Sequence, residues 1–160
     1  MTEAVDHRRL ARVTIDETSL AAATPEQEHE RKIAIFDLLE SNVFHPDGAD
    51  AGPFELKLSL AENRLCMDII GPDFERRHLL SLSPFRGIIK DYFLVCESYY
   101  DAIRSATTAH IEALDMGRRG LHDEGASVLK ERLEGKVAVD KDTARRLFTL
   151  ICALHRRGVV

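Results

Sequence analysis

The chain is poor in the residues that most directly betray a chemistry. It has three cysteines among 160 residues: Cys66, Cys96 and Cys152. They are odd in number, far apart and set in apolar patterns, with no Cys-x-x-Cys and no Cys/His pair at zinc spacing. That excludes a disulfide framework and reads as three small buried hydrophobes in a reducing compartment. No segment approaches the run of about 18 apolar residues that a membrane-spanning helix needs. The opening MTEAVDHRRLARV lacks the apolar core of a secretory leader. A cytoplasmic location and no membrane partner are therefore expected. Nor is there an excess of positive charge. With 22 Lys and Arg against 27 Asp and Glu, the net charge is -5, so nucleic acid is an unfavoured partner, because neutralising phosphates takes concentrated cations. The motifs GxxxxGK[ST], GxGxxG, HExxH and GxSxG are all absent. Internal repeats and low-complexity segments are absent too.

What is present suits an ordinary core: 44% of the residues are hydrophobic, and the length fits one domain. Residues 1–9 read as a disordered polar tail and 10–160 as a single α+β domain. Leu10 to Ile15 alternates and predicts a half-buried strand. Thr24-Pro25-Glu26-Gln27 reads as a capping box with proline at the first helical position. The helix that follows should turn Ile33, Phe36, Leu39 and Val43 inward, with Ile35 and Leu38 beside them. His45 to Pro53 is rich in breakers and reads as a loop. Phe54, Leu56, Leu58 and Leu60 then alternate with polar residues, as do Leu65, Met67 and Ile69. A hairpin follows from this, with Asn63 at positive φ in its turn. A third strand runs through Arg76, His78, Leu80 and Leu82. These strands should form a small antiparallel sheet of three to four strands, in the order β-α-β-β-β, with Leu10–Ile15 at an edge.

From Ser83 the pattern changes to a helical one. Phe85, Ile89, Tyr92, Cys96, Tyr99, Ile103 and Ala106 recur at steps of four and three. Ser83-Pro84 should start this helix as cap and first-turn proline. Ser105 to Thr108 should break it, and a second helix should follow from about Thr108 to Glu134, weakened by Gly117, Gly120 and Gly125. A short edge strand at Lys136–Val139 and a last helix capped by Asp140 complete a helical C-terminal half of about three helices. The aromatic helix is apolar on several sides, so it is expected either at the core or as the seam of a homodimer.

One polar constellation stands out. Glu112, Asp115, Arg119 and His122 fall on one helical face at spacings of three, four and three, flanked by Arg118 and Glu124. Ion pairs are routine at such spacings on a solvated face. As a binding surface, the six would suit an anionic small molecule or a protein partner; as a catalytic site, His122 and Asp115 would be the reacting pair. His122-Asp123 is too little for a metal site, and neither metal nor cofactor is expected. His110 continues the apolar stripe and reads as half-buried. The arginine pairs 8–9, 76–77, 118–119, 145–146 and 156–157 would form a patch only if the fold gathered them.

With these residues laid out, the chain resembles an uncharacterised, mainly alphaproteobacterial family, uncharacterised protein family two-six-two. The resemblance is carried by HERKIAIFDLLESN from His29, FELKLSLAENRL from Phe54, IEALDMGRRGLHDEGA from Ile111 and DTARRLFTLICALHRRG from Asp142. It implies no activity, so it adds no site residue. Three readings remain open. The favoured one is a non-catalytic, self-associating binding or regulatory protein. The others are an enzyme of phosphoryl or nucleotide chemistry using Asp115, Arg118, Arg119 and His122, and an RNA- or ribosome-associated factor.

Overall fold

The computed structural model describes residues 7–155. In chain order they form β1 (Leu10–Ile15), α1 (Pro25–Glu40), β2 (Phe44–Pro46), β3 (Phe54–Ala61), β4 (Arg64–Gly71), β5 (Phe74–Ser81), α2 (Arg86–Ser105), α3 (Thr108–Leu133), β6 (Val137–Val139) and α4 (Lys141–Leu154). The fold is α+β, with most of the helix in the C-terminal half. Among the described residues no helix is long and apolar enough to cross a membrane.

The main sheet has the order β1-β3-β4-β5. β3, β4 and β5 form the expected antiparallel meander, but β1 lies parallel to β3, so the sheet is mixed. The 38 residues between β1 and β3 include α1, which is the length a crossover between parallel strands requires. Period-two alternation decides which face is buried. Leu56 pairs with Ile69 and Leu58 with Met67, and all four are buried; their neighbours Lys57 and Asp68 face out. In the β3–β4 turn, Glu62 takes the positive φ of 57° in place of the expected Asn63. The segment expected as a loop after α1 contains β2, which pairs with β6 in a separate two-stranded ladder. Three residues per strand leave little periodicity to read.

Capping chemistry fixes the helix starts. The Thr24 hydroxyl accepts from the Gln27 N–H at 3.2 Å and the Gln27 side chain accepts from the Thr24 N–H at 3.0 Å. Asp140 caps α4 through the Thr143 N–H at 2.8 Å. The break between α2 and α3 falls where expected, and Thr107 caps α3. Ser83 does not cap α2; Ser83–Phe85 make a short 3-10 turn that feeds it. α3 runs unbroken through its three glycines, and Gly135, at φ 76°, closes the chain reversal after it.

The buried face of the sheet packs on α3 and α4. Leu58, Leu65 and Met67 meet Leu129, Leu147 and Ile151, leaving a cavity of only about 10 Å³. Each such side chain contributes about 1.5–3 kcal/mol on leaving water. The helices follow one another in space: α1 packs on α4 and β1, α4 on α3, and α3 on α2. One expectation about a helix face is corrected here. α1 buries Arg31, Ala34 and Leu38, whereas Ile33 is 47% and Phe36 68% exposed. Arg31 turns inward because its Nε donates to the Ala153 carbonyl at 2.9 Å, tying α1 to α4. On α2 the stripe is buried at Ile89 and Cys96, while Ile103 within it and Tyr100 beside it are exposed; past Cys96 the helix buries only Ala102, and the first three turns of α3 bury nothing. His110, in the first turn of α3, is exposed, not half-buried. Of the segment expected as a tail, His7, Arg8 and Arg9 are described, and the carbonyls of Arg8 and Arg9 accept from the Phe44 and Phe54 N–H groups. Residues 1–6 and the Arg156–Arg157 pair lie outside the described residues.

Candidate functional site

The polar stripe of α3 is real but largely self-satisfied. Asp115 is its hub: one carboxylate oxygen lies 2.6 Å from Arg118 and the other 3.0 Å from Arg119. These are the three- and four-residue helical spacings at which ion pairs form. The Arg118 guanidinium also lies over the Tyr99 ring, 4.5 Å from its centroid. Burial works against the charge of Arg118, but its bond to Asp115 more than compensates and raises its pKa. The two arginines that would attract an anion therefore already spend donors on a carboxylate. Glu112 and Glu124 are exposed, and neither joins this network.

His122 serves a different end. Its Nε2 lies within hydrogen-bond reach of the Thr149 hydroxyl and of the Arg145 carbonyl, the latter at 3.0 Å. Thr149 in turn donates to the Arg145 carbonyl at 3.0 Å. The ring stacks on Tyr92, with centroids 6.0 Å apart, and borders Phe148 at the same distance. Next to it, Asp123 pairs with Arg145 at 3.2 Å. The imidazole thus pins α2, α3 and α4 together. Burial, reinforced by the Arg145 charge, pushes its pKa below the usual 6.5, so it is neutral at pH 7. Asp115 lies two helical turns away, about 10 Å along the axis. Asp115 is bonded to Arg118 and Arg119 and the His122 Nε2 to α4, and no hydrogen bond joins the two candidates.

The other arginine pairs are used singly. Arg76 donates to the Asp47 carbonyl, Arg77 pairs with Asp68, and Arg146 donates to the Ser41 carbonyl. Among the described residues, no three of His, Cys, Asp and Glu come together as a metal ion would require.

The open site lies beside the stripe. α1 and α2 stand on either side of α4 and leave a groove of about 210 Å³ between them. Ile33 and Asp37 of α1 form one wall, Phe93 and Tyr100 of α2 the other, and Cys152 and Ala153 of α4 the floor. Arg118 closes one end and is the single residue of the predicted constellation that reaches it. Cys96 and Thr149 also line it. All three cysteines are free and buried; burial raises the Cys152 thiol far above its ordinary range, so it stays protonated. The α1 wall was missed because Ile33 and Phe36 share the spacing of a core stripe. The available signal was the competing set Arg31, Ala34 and Leu38, which has the same periodicity and one long cation. Nothing in the sequence brings Cys96 and Cys152 to one groove.

Comparison with known proteins gives a consistent picture. The pattern described as "Uncharacterised protein family (UPF0262)" matches residues 7–157. A UPF0262 protein of Phenylobacterium zucineum is 64% identical over 156 residues, covering 98% of both chains. One from Caulobacter vibrioides is 64% identical, covering 98% of this chain and 99% of the relative. One from Brucella anthropi is 58% identical, covering 99% of this chain and all of the relative. No solved structure matches.

Proposed function

The chain belongs to uncharacterised protein family UPF0262, and we propose that it is a non-catalytic, self-associating cytoplasmic protein that binds its ligand in the groove between α1 and α2. One observation carries the reading. The groove is an apolar concavity with exposed Ile33 and Tyr100 on opposite walls, whereas Asp115, Arg118 and Arg119 of α3 are tied to one another and His122 and Asp123 to α4. Catalysis needs a reachable group whose pKa is near the working pH. His122 is hemmed in by Tyr92 and Phe148, and Asp115 is clamped by two arginines. Exposed Leu94 and Ile103 on α2 and Met116 on α3 supply apolar surface for a second copy, and three free thiols suit a reducing compartment.

The test is an NMR titration of the ¹⁵N-labelled full chain with 4-phenylbutanol, a neutral apolar probe. Amide shifts are expected at Ile33, Cys96, Tyr100 and Ala153. No shifts, or shifts confined to Thr108–Asp115, would contradict the reading. Light scattering on the same sample should give twice the 18.0 kDa chain mass; a monomer would remove the self-association.

A further inference from the structure

The groove has walls of different character, and the difference selects a ligand class. Its α2 side is aromatic: Tyr92, Phe93 and Tyr100 border it. Its α1 side carries Asp37, which is exposed and makes no ion pair among the described residues. Glu30, which has an interaction of its own, adds a second carboxylate to the same wall. Arg118 is the lone Lys or Arg of the lining, and it is bonded at 2.6 Å to Asp115, a carboxylate it shares with Arg119. The buried side chains of Cys96 and Cys152 add polarisable surface.

We propose that this groove takes an organic cation with an apolar body, an alkyl- or arylalkylammonium, its charge set against Asp37 and its body between Ile33 and Tyr100. The inference rests on the groove being the binding site. Three physical points favour the cation. Aromatic faces carry negative potential at their centres and attract ammonium groups, the more so where water is thinned out. An anion would approach Asp37 and could use Arg118 only by competing with Asp115. A neutral ligand would gain apolar burial alone. The cavity of about 210 Å³ is below the range of drug-sized sites, which suits a small arylalkyl body.

The experiment compares three probes that share one body: 4-phenylbutylammonium, 4-phenylbutanol and 4-phenylbutyrate, titrated into the labelled full chain at low ionic strength. The ammonium should bind at least fivefold more tightly than the alcohol, and the carboxylate should bind most weakly. Asp37→Asn should weaken binding of the ammonium by a larger factor than binding of the alcohol; equal losses for the two would overturn the inference. Equal affinities for ammonium and alcohol would overturn the inference while sparing the groove. Tightest binding by the carboxylate would overturn it in favour of Arg118. Failure of all three probes to bind would remove the groove reading itself.

Discussion

Along α3, the first three turns and the last three differ in almost everything they touch. From Thr108 to Gly120 no residue is buried; Ile111, Leu114, Asp115 and Arg118 are half-covered. From Gly125 to Leu133 the helix buries Gly125, Ala126, Leu129 and Leu133 against α4 and the sheet. The helix is nonetheless continuous, and its glycines mean different things at the two ends. At Gly125 a side chain is excluded: a Cβ there would run into the ring of Phe148, itself fully buried. At Gly120 a Cβ would meet nothing within 4 Å. The anchored end is held by packing. The N-terminal end is held by its cap, by the Asp115 ion pairs and by its contact with α2. The groove opens where the helical layer passes from one regime to the other.

Substituting the anchor should break this contrast most severely. Phe148→Ala is expected to cost about 3–5 kcal/mol, the range for emptying an aromatic site in a packed core. Met116→Ala, at a residue 73% exposed on the N-terminal end, should stay within about 0.5 kcal/mol. Urea unfolding of the two variants checks both.

A smaller effect comes from pH. Burial lowers the pKa of His122, with the Arg145 charge adding to it; burial also lowers those of His155 and His78, helped by Arg86 in the first case and by Arg76 and Lys136 in the second. In each case the folded chain binds its proton less readily than the unfolded one. As pH falls below the ordinary value of 6.5, the unfolded chain takes up more protons and stability drops. The stabilisation is complete above about pH 6.5 and is lost progressively on acidification. The urea midpoint should therefore fall between pH 7.5 and pH 5, and His122→Gln should reduce that fall. An unchanged pH dependence in the variant would mean that His122 does not contribute through its neutral form.

The legible part of the fold was what local chemistry dictates. The alternation of Phe54–Leu60 and Leu65–Ile69, the Thr24/Gln27 box and the Asp140 cap each act within a few residues, so the sequence displays them directly. The parallel pairing of β1 and the β2–β6 ladder are long-range choices with no local signature. α1 offered two stripes of the same period, and Arg31 tipped the balance by bonding Ala153 in α4, a partner 122 residues away. The site divides in the same way. The Asp115–Arg118–Arg119 cluster is a spacing effect and could be read. That His122 would be buried as a pin against Thr149, and that the open surface would lie across α1 and α2, depends on which helices become neighbours.

The contrast between the two ends of α3 is tested most directly by making one substitution twice and comparing the unfolding free energies. Gly120→Ala is expected to stabilise the protein by up to about 1 kcal/mol, because alanine favours the helix and meets no obstacle. Gly125→Ala is expected to destabilise it by about 1–3 kcal/mol through overpacking against Phe148. Opposite signs would confirm an anchored end and a free end. The same sign at both positions would contradict it.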